Sequence, residues 1–523
     1  MNLSTPEQDV CEIGPAGRFL RDAGGAFWAA FFLALAISGF LLFNYYCISA
    51  DGTRYIAAAE NFYAGNFTAG LASFYPPGYP ALLAFAYYFV GDWERAGQLI
   101  SLIARALLFF PLYALLRDLY GKTPAALGCF LAALSPFLAL YSVHVRTESL
   151  FFLLALLALS AFHFGMERRR AGHFFVGGLL AGFAYLVRPE ALGFVILIPA
   201  ALLFLWRMQR RWNGVWIAKA SLVMLAGFLI FAAPYAVYLS RESGQWLTFS
   251  RKAGSTLWDS LRDAELLDAE VTRNFPTRRS MSLPEFVRRE PWVYTKKVLG
   301  DLAPSVGIYF EALHYSYLPF LLLGWWKISR EGFWRRKDFL LFAYLIFFMV
   351  AFTAVYVNRR YSLQLVPISM GWTALGVLAC RDWVKSRFNE KTAKALLAAL
   401  VLAFLGSTLP KTLEPVGKDK AHFKDAGHYA RARYGPGDLH VMVSDERIAY
   451  YAAARAIHLR DEWSESDIVA QMQRQNAGFL IAERKFLASR CPGFLSSPEG
   501  YGLRFEKEFV GRQKDRLLVF APL

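Results

Sequence analysis

Long apolar runs dominate this sequence and limit what it can fold into. The first, 27–46, contains no charged residue. In a helix, about 20 such residues cross the roughly 30 Å hydrocarbon core of a bilayer. Further runs lie at 97–116, 123–143, 149–166, 172–187, 191–206, 220–240, 305–326, 338–357, 361–380 and 393–409. We therefore predict an α-helical polytopic membrane protein with about 11 transmembrane helices.

Basic residues are concentrated in short clusters between the apolar runs. The 57 Lys and Arg residues exceed the 41 Asp and Glu residues, giving a net charge of +16. Clusters at 167–170, 207–212 and 334–337 follow the positive-inside rule for cytoplasmic loops, with anionic lipid headgroups as the counter-charge. Membrane lipids are thus expected partners, and nucleic acid is not. The five cysteines are scattered without metal-ligand spacing, so they predict no disulfide framework.

One apolar stretch, 76–90, follows a double proline and is ambiguous between a span and a surface helix. If the basic clusters are cytoplasmic, run 149–166 ends inside, and run 97–116 begins outside, on the side of Asp51. The number of crossings between Asp51 and that run is then even, and zero is the simplest number. The stretch 76–90 is therefore predicted to lie along the outer surface, within one outer loop of about 48–96.

A change of composition after the last run indicates a second domain. We predict a transmembrane module over 1–409, with a second outer loop at about 241–304, and an extracytoplasmic α/β domain over 410–523. Its candidate elements are helices at 420–434 and 466–475 and strands in DLHVMVS, GFLIAE and RLLVFAP. At the other end, the first apolar run is too long for an ordinary signal peptide, so we expect an uncleaved first helix.

Two carboxylates are predicted to lie on the outer side of the membrane. Asp51 follows the first span and precedes a segment with an amphipathic helical pattern, which is typical of a helix lying in the interface. Glu148 begins a later span. Such a pair could activate a hydroxyl nucleophile or bind a metal beside a phosphate. Local roles are the alternatives: Asp51 as an N-cap, and Glu148 as a helix-dipole residue beside a Thr147 cap.

The order of motifs along the chain resembles that of a known superfamily. Asp51, a surface helix, PPGYP, RDLYGK, LSPF and a Thr-Glu pair follow one another, and NRRYSLQLVPIS comes later. Over about 25–380 this order is similar to that of the GT-C glycosyltransferases, which include protein O-mannosyltransferases and lipid A aminoarabinose transferases. The resemblance implies inverting transfer of a sugar from a polyprenyl-phosphate donor to an acceptor hydroxyl of a lipid, glycan or protein. The implied location is the outer side of the cytoplasmic (inner) membrane.

The resemblance also assigns roles to particular residues. Asp51 matches the catalytic acidic residue of the first loop, and Glu148 matches the second acidic position. One departure matters, because the aminoarabinose transferases carry Glu-Lys before the double proline, where this chain has Phe74 and Tyr75. Their metal and phosphate contacts therefore do not carry over, and a divalent metal cofactor stays an open question.

Departure of a polyprenyl phosphate requires cations near the leaving oxygen. The candidates for substrate binding are Arg146, Arg188, Arg359, Arg360, Tyr361 and Tyr55. Each arginine could instead anchor a helix at the interface. Arg105 lies near the middle of its span, where a charge needs a buried partner or a cavity. Glu311 and His314, at i and i+3, form the candidate metal site, with a structural role as the alternative.

Two other classes of function stay open at this point. A transporter or lipid flippase would also have many helices and intramembrane charges, but transporters usually show repeated halves, and this sequence has no visible internal repeat. A sensor or assembly protein with a ligand-binding C-terminal domain would not depend on Asp51. The sequence has no Walker A motif, no GxGxxG after a strand, no HExxH and no Asp-x-Asp in a cytoplasmic loop. It therefore offers no visible site for a soluble nucleotide donor.

Overall fold

The computed structural model describes residues 24–209, 212–244, 249–267, 269–275, 281–329, 337–435, 437–460, 462–512 and 514–523. The polar N-terminal segment, which preceded the expected first helix, lies outside the described residues. So do parts of the basic clusters at 207–212 and 334–337.

Helices make up the regular structure of the described chain before the C-terminal domain. They are α1 (Gly24–Phe43), α2 (Ala50–Tyr63), α3 (Phe67–Leu71), α4 (Gly78–Val90), α5 (Trp93–Tyr120), α6 (Lys122–Leu134), α7 (Pro136–Tyr141), α8 (Glu148–Arg168), α9 (Ala171–Val187), α10 (Gly193–Gln209), α11 (Gly214–Ser243), α12 (Lys252–Asp263), α13 (Ala269–Asn274), α14 (Leu283–Arg289), α15 (Pro291–Leu313), α16 (Leu318–Ser329), α17 (Phe339–Thr353), α18 (Arg359–Ser362), α19 (Val366–Arg387) and α20 (Glu390–Thr412). Short 3₁₀ turns join some of them, at Pro189–Leu192, Tyr315–Tyr317 and Leu363–Leu365.

Seven of the described helical segments are long and apolar enough to cross a bilayer, or eight if the bent pair α15 and α16 forms one span. The seven are Gly24–Phe43, Trp93–Tyr120, Glu148–Arg168, Pro189–Met208, Gly214–Ser243, Arg359–Arg387 and Glu390–Thr412. The other predicted spans fall on shorter apolar helices, α6, α9 and α17. The fold class of an α-helical multi-pass membrane protein is confirmed, whereas the number of 11 crossings stays a prediction.

Helix α4, the stretch predicted to lie along the surface, packs beside α2. At its start, a Cβ added to Gly78 would lie 2.7 Å from the carbonyl oxygen of Leu186, at the end of α9. Near its other end, the Tyr87 ring stacks on Trp93 with centroids 3.7 Å apart. Tyr87 also meets Tyr63 of α2 edge-on at 5.0 Å. At the start of α4, the Tyr79 ring lies 5.1 Å from that of Tyr55 in α2, so both ends of α4 contact α2.

Glycines allow close packing of several helices, as is common in bilayers, where apolar burial alone does not drive helices together. A side chain at Gly178 of α9 would collide with the carbonyl oxygen of Met224 in α11. One at Gly376 of α19 would collide with the carbonyl oxygen of Phe320 in α16. The contact at Gly178 brings α9 directly against α11, and Arg188 follows the C-terminal end of α9.

The C-terminal domain is a five-stranded mixed sheet with helices. The strands are β1 (His440–Val443), β2 (Arg455–His458), β3 (Ala477–Glu483), β4 (Leu503–Val510) and β5 (Arg516–Pro522), and the helices are α21 (Ala421–Tyr434), α22 (Glu446–Ala452), α23 (Glu465–Arg474), α24 (Arg484–Arg490) and α25 (Gly493–Ser496). In the sheet order β2-β1-β3-β5-β4, β1 pairs in parallel with β2 and β3, while β5 pairs antiparallel to β3 and β4.

The predicted strands correspond to the three central ones, β1, β3 and β5, and the predicted helices to α21 and α23. The small C-terminal α/β fold is confirmed. Sequence reasoning missed the edge strands β2 and β4. Their residues are largely exposed and, in β4, charged, so neither shows the apolar signal of a buried strand.

Candidate active site

Ser49, not Asp51, is the residue that caps the N-terminus of helix α2. The Ser49 hydroxyl accepts from the backbone N–H of Gly52 at 3.1 Å, so Ser49 is the N-cap. The alternative assignment of Asp51 as the N-cap is therefore wrong. The same hydroxyl accepts from Nε of Arg146 at 2.9 Å. One serine thus caps the N-terminus of the helix and binds an arginine that also contacts the Asp51 carboxylate.

Asp51, in the first turn of α2, has three partners. The Tyr75 hydroxyl donates to its Oδ1 at 2.7 Å. Its Oδ2 accepts from Nη1 of Arg360 at 2.6 Å and lies 3.4 Å from Nη2 of Arg146. The side chain is 19% exposed, so the carboxylate can still be reached by a ligand.

Glu148 is completely buried at the start of α8. Its Oε1 accepts from Nε of Arg360 at 2.7 Å and lies 3.4 Å from Nη1 of Arg188. Thr147 makes no side-chain cap, and Glu148, in the first turn of α8, contacts two guanidinium groups from distant parts of the chain. Its second oxygen, Oε2, is buried without a hydrogen-bond partner among the described residues, and could accept a hydrogen bond from a substrate hydroxyl.

Arg360 joins the two carboxylates, although they lie 97 positions apart in the chain. Its guanidinium contacts Asp51 through one nitrogen and Glu148 through the other two. The Asn358 side chain accepts from the backbone N–H of Arg360 at 3.0 Å and caps the short helix α18. This local cap helps to fix the backbone from which the arginine extends.

Glu190 completes the arrangement, because its Oε1 accepts from Nη2 of Arg188 at 2.8 Å. We use "charge cluster" for Asp51, Arg146, Glu148, Arg188, Glu190 and Arg360. Its three carboxylates face three guanidinium groups. Opposite charges therefore offset one another within the cluster, which lowers the cost of burying them.

The charges of the cluster lower the pKa of the Asp51 carboxyl group. Burial alone would raise the pKa of its carboxyl group, but the guanidinium groups of Arg360 and Arg146 and the hydroxyl of Tyr75 outweigh burial. The pKa of Asp51 therefore lies well below its ordinary value, and Asp51 is ionised throughout the physiological pH range. In this state it is better suited to orienting a hydroxyl than to removing a proton.

The charge cluster does not suit a divalent metal. Such ions need several oxygen ligands with uncompensated negative charge, whereas Asp51 and Glu148 are already bound to Arg360 and balanced by the other arginines. In the part of the chain that the structure describes, no three His, Cys, Asp or Glu side chains are grouped so that they could hold a metal ion.

The candidate pair Glu311 and His314 lies at the bend between α15 and α16. Nη1 of Arg359 contacts Oε1 of Glu311 at 2.6 Å, and Nδ1 of His314 lies 2.7 Å from the hydroxyl of Ser316. Both predicted ligands therefore already have other partners. Arg359, predicted to bind substrate, pairs with Glu311 and covers the Phe137 ring at 4.4 Å, away from the two carboxylates.

The two predicted tyrosines line the charge cluster. The Tyr361 ring lies 5.1 Å from the Arg188 guanidinium. Tyr55, which is buried, packs its ring 4.4 Å from that of Tyr75. Away from this site, Arg105 donates to the carbonyl oxygen of Ala133 at 2.9 Å, which gives the charge within the span a polar partner.

Two parts of the site were missed by sequence reasoning. Lys252, at the start of α12, holds its ammonium group 5.4 Å from the centre of the Tyr75 ring. No pattern around it in the sequence signals this position. From the C-terminal domain, Glu446 accepts from Nε of Arg54 at 3.0 Å and from the Thr53 hydroxyl at 3.3 Å. Its contacts join residues about 390 positions apart, which no local spacing could predict.

The segment that leads into α2 is also held by the C-terminal domain and its linker. The backbone N–H of Tyr46 donates to the carbonyl oxygen of Val416 at 2.9 Å. The Tyr451 hydroxyl accepts from the backbone N–H of Ile48 at 2.7 Å and donates to Glu94 at 3.0 Å. The site is therefore assembled from the helical bundle and the C-terminal domain together.

Comparison with known proteins identifies the fold. Residues 75–238 match the sequence model of the family described as dolichyl-phosphate-mannose-protein mannosyltransferase. This match covers α4 to most of α11 and includes Tyr75, Arg146, Glu148 and Arg188. A sequence comparison with curated proteins gave no match.

Solved structures resemble nearly the whole chain. ArnT from Cupriavidus metallidurans bound to undecaprenyl phosphate is 13% identical, with a TM-score of 0.55, over 94% of this chain and 97% of that one. The oligosaccharyltransferase AglB from Archaeoglobus fulgidus, in complex with an inhibitory peptide and a dolichol-phosphate, is 15% identical, with a TM-score of 0.54, over 96% of this chain and 74% of that one. The resemblance noted in the sequence is confirmed, and this chain has the fold of the GT-C membrane glycosyltransferases.

Proposed function

We propose that this protein is an inverting glycosyltransferase that moves a sugar from a polyprenyl-phosphate carrier to the hydroxyl of a lipid, glycan or protein. The observation that carries the proposal is the convergence of Asp51, Glu148 and Arg360 from three distant segments. Two similar folds have been solved with undecaprenyl phosphate or dolichol-phosphate bound, which supports a lipid-linked donor. The active site would face the outer side of the cytoplasmic membrane, in keeping with the positions of the basic clusters.

In this reaction the acceptor oxygen bonds to the anomeric carbon while the bond from that carbon to the phosphate oxygen breaks. The phosphate leaves with the electron pair, and the acceptor hydroxyl loses its proton. Asp51 is the group placed to orient this hydroxyl and receive the proton. Arg360, with Arg146 and Arg188, can stabilise the negative charge of the leaving phosphate.

Phosphate binding would also change the basicity of Asp51. In the structure, Arg360 and Arg146 hold the pKa of Asp51 low. A phosphate that competes for these guanidinium groups brings negative charge and weakens their hold on the carboxylate, and both effects raise the pKa. Asp51 would thus become a better proton acceptor when the donor is bound.

The test is transfer by purified protein in lipid bilayers, using a set of polyprenyl-phosphate sugars and candidate acceptors. Asp51→Asn keeps the size of the side chain and should lower transfer by roughly 10²–10⁴-fold, the range for a positioned general base. Asp92→Asn is the matched control, because Asp92 caps α5 and Asn caps about as well. Near-normal transfer by a folded Asp51→Asn protein would overturn this role of Asp51, whereas no transfer by the wild-type protein with any donor would favour a transporter.

A further inference from the structure

Among the described residues, Lys252 is a cation beside the site that forms no direct ion pair with a carboxylate. No Asp or Glu oxygen of the described chain lies within ion-pair distance of its ammonium group, whereas each arginine of the charge cluster contacts at least one carboxylate. The ammonium lies over the Tyr75 ring, and the Tyr75 hydroxyl binds Asp51. Lys252 is thus held beside the reacting carboxylate without pairing to it.

The segment around Lys252 is fixed by several contacts. The guanidinium of Arg251 donates to the carbonyl oxygens of Leu71 and Ser73 at 2.6 and 2.7 Å. The Tyr185 hydroxyl donates to the carbonyl oxygen of Phe249 at 2.6 Å. These bonds attach the start of α12 to the end of α3, to the loop after it and to α9, so the position of Lys252 is set by the surrounding structure.

Burial lowers the pKa of Lys252, and the nearby guanidinium of Arg188 lowers it further, while Glu190 acts in the opposite direction. An anion bound beside the ammonium would favour its charged form again. An anionic ligand would therefore stabilise this half-buried cation.

We propose that Lys252 binds the phosphate of the polyprenyl carrier, on the side of Asp51 that faces Tyr75. This inference rests on the proposed function and names a further donor-binding residue. The carboxylates and guanidinium groups of the charge cluster balance one another, so a phosphate bound there adds net negative charge. Lys252 supplies a positive charge to offset it. An ammonium suits this task because it can follow a phosphate as a point charge.

Binding can be measured without any transfer, using full-length protein in bilayers of neutral lipid. Undecaprenyl phosphate and the uncharged undecaprenol are the two probes, and the ratio of their affinities measures recognition of the phosphate. Lys252→Met should reduce this ratio by about tenfold or more, the usual value of a charged hydrogen bond. Lys252→Arg should preserve most of it. Lys296→Met, which removes an exposed lysine of α15, is the control and should leave it unchanged.

The outcomes separate this inference from the proposed function. An unchanged ratio in folded Lys252→Met and Lys252→Gln proteins would overturn the role of Lys252, even if wild-type protein transfers sugar. Reduced recognition of the phosphate supports it, even if no sugar donor is found to react. Inorganic phosphate serves as a competitor: weak competition supports a lipid-borne phosphate, whereas competition as strong as that of undecaprenyl phosphate would overturn the assignment to the carrier.

Discussion

Helix α2 is held from two sides, and the two sets of contacts differ in burial. Toward the helical bundle, Asp51 joins a network whose other carboxylate, Glu148, has no exposed surface. Toward the C-terminal domain, Arg54 pairs with Glu446, and the Arg54 side chain is 53% exposed. Buried charges are costly to leave without partners, whereas exposed ion pairs contribute little. We therefore expect the buried contacts with the bundle to determine whether the reaction occurs. The exposed contacts with the C-terminal domain should affect only how well α2 is positioned.

After Asp51→Asn, the largest effect is expected from another change on the buried side, Arg360→Lys. A single ammonium cannot reproduce the fork that contacts both Asp51 and Glu148. We expect kcat/KM for transfer to fall by about 10–100-fold, corresponding to the loss of a strong charged contact. The adjacent Arg359→Lys is a matched control, because Arg359 pairs with Glu311 outside the charge cluster. The decrease in kcat/KM that it causes should be several-fold smaller. Equal losses of activity at the two positions would show that the contact of Arg360 with both carboxylates has no special importance for the reaction.

The contrast between these adjacent arginines shows how far the sequence could predict the site. The motif order placed Asp51, Glu148 and the Arg-Arg-Tyr segment in one site, and the structure brings Arg360 to both carboxylates. The sequence alone does not show which of Arg359 and Arg360 faces the carboxylates. The two residues begin a four-residue helix followed by a 3₁₀ turn, which is too short and irregular for helical periodicity to assign their directions. The fold class was accessible, because membrane spans leave long apolar runs in the sequence.

The contacts that were missed share a physical cause. Lys252 and Glu446 reach the site from segments far from Asp51 in the chain, and each is a charged residue at the start of a helix. Charged residues in such segments usually face water, so sequence alone favours that placement. Only the packing of α12 and of the C-terminal domain against the bundle gives these two side chains partners in the site.

The exposed side should show a smaller effect. Glu446→Gln and Arg54→Gln each break the same pair, so each should lower kcat by at most about fivefold, in line with an exposed ion pair. Binding of undecaprenyl phosphate should be unchanged in both proteins. The double variant should be no worse than Glu446→Gln alone, because that change already breaks the pair with Arg54. Strictly additive losses would show that the two residues act separately.

The smallest effect concerns the pH dependence of the buried side, probed by Tyr75→Phe. The Tyr75 hydroxyl is one of the groups that lower the pKa of Asp51, so its removal should raise that pKa. Activity that needs the ionised carboxylate is lost as the pH falls through the pKa. The acid limb of the profile of kcat/KM against pH should therefore lie at higher pH in the variant, while the rate at pH 7, where Asp51 is ionised in both proteins, changes by only about twofold.

Tyr63→Phe is the control for this profile, since Tyr63 lies on α2 but is 53% exposed and packs against Tyr87. Its acid limb should coincide with that of the wild-type protein.

Binding of undecaprenyl phosphate provides a second measurement on Tyr75→Phe. The variant retains the aromatic ring beneath the Lys252 ammonium group and should therefore leave this binding intact. A variant that lost this binding along with its pH shift would show that the hydroxyl acts on the ligand and not on Asp51. An acid limb displaced to lower pH would contradict the hydrogen bond as the source of the low pKa.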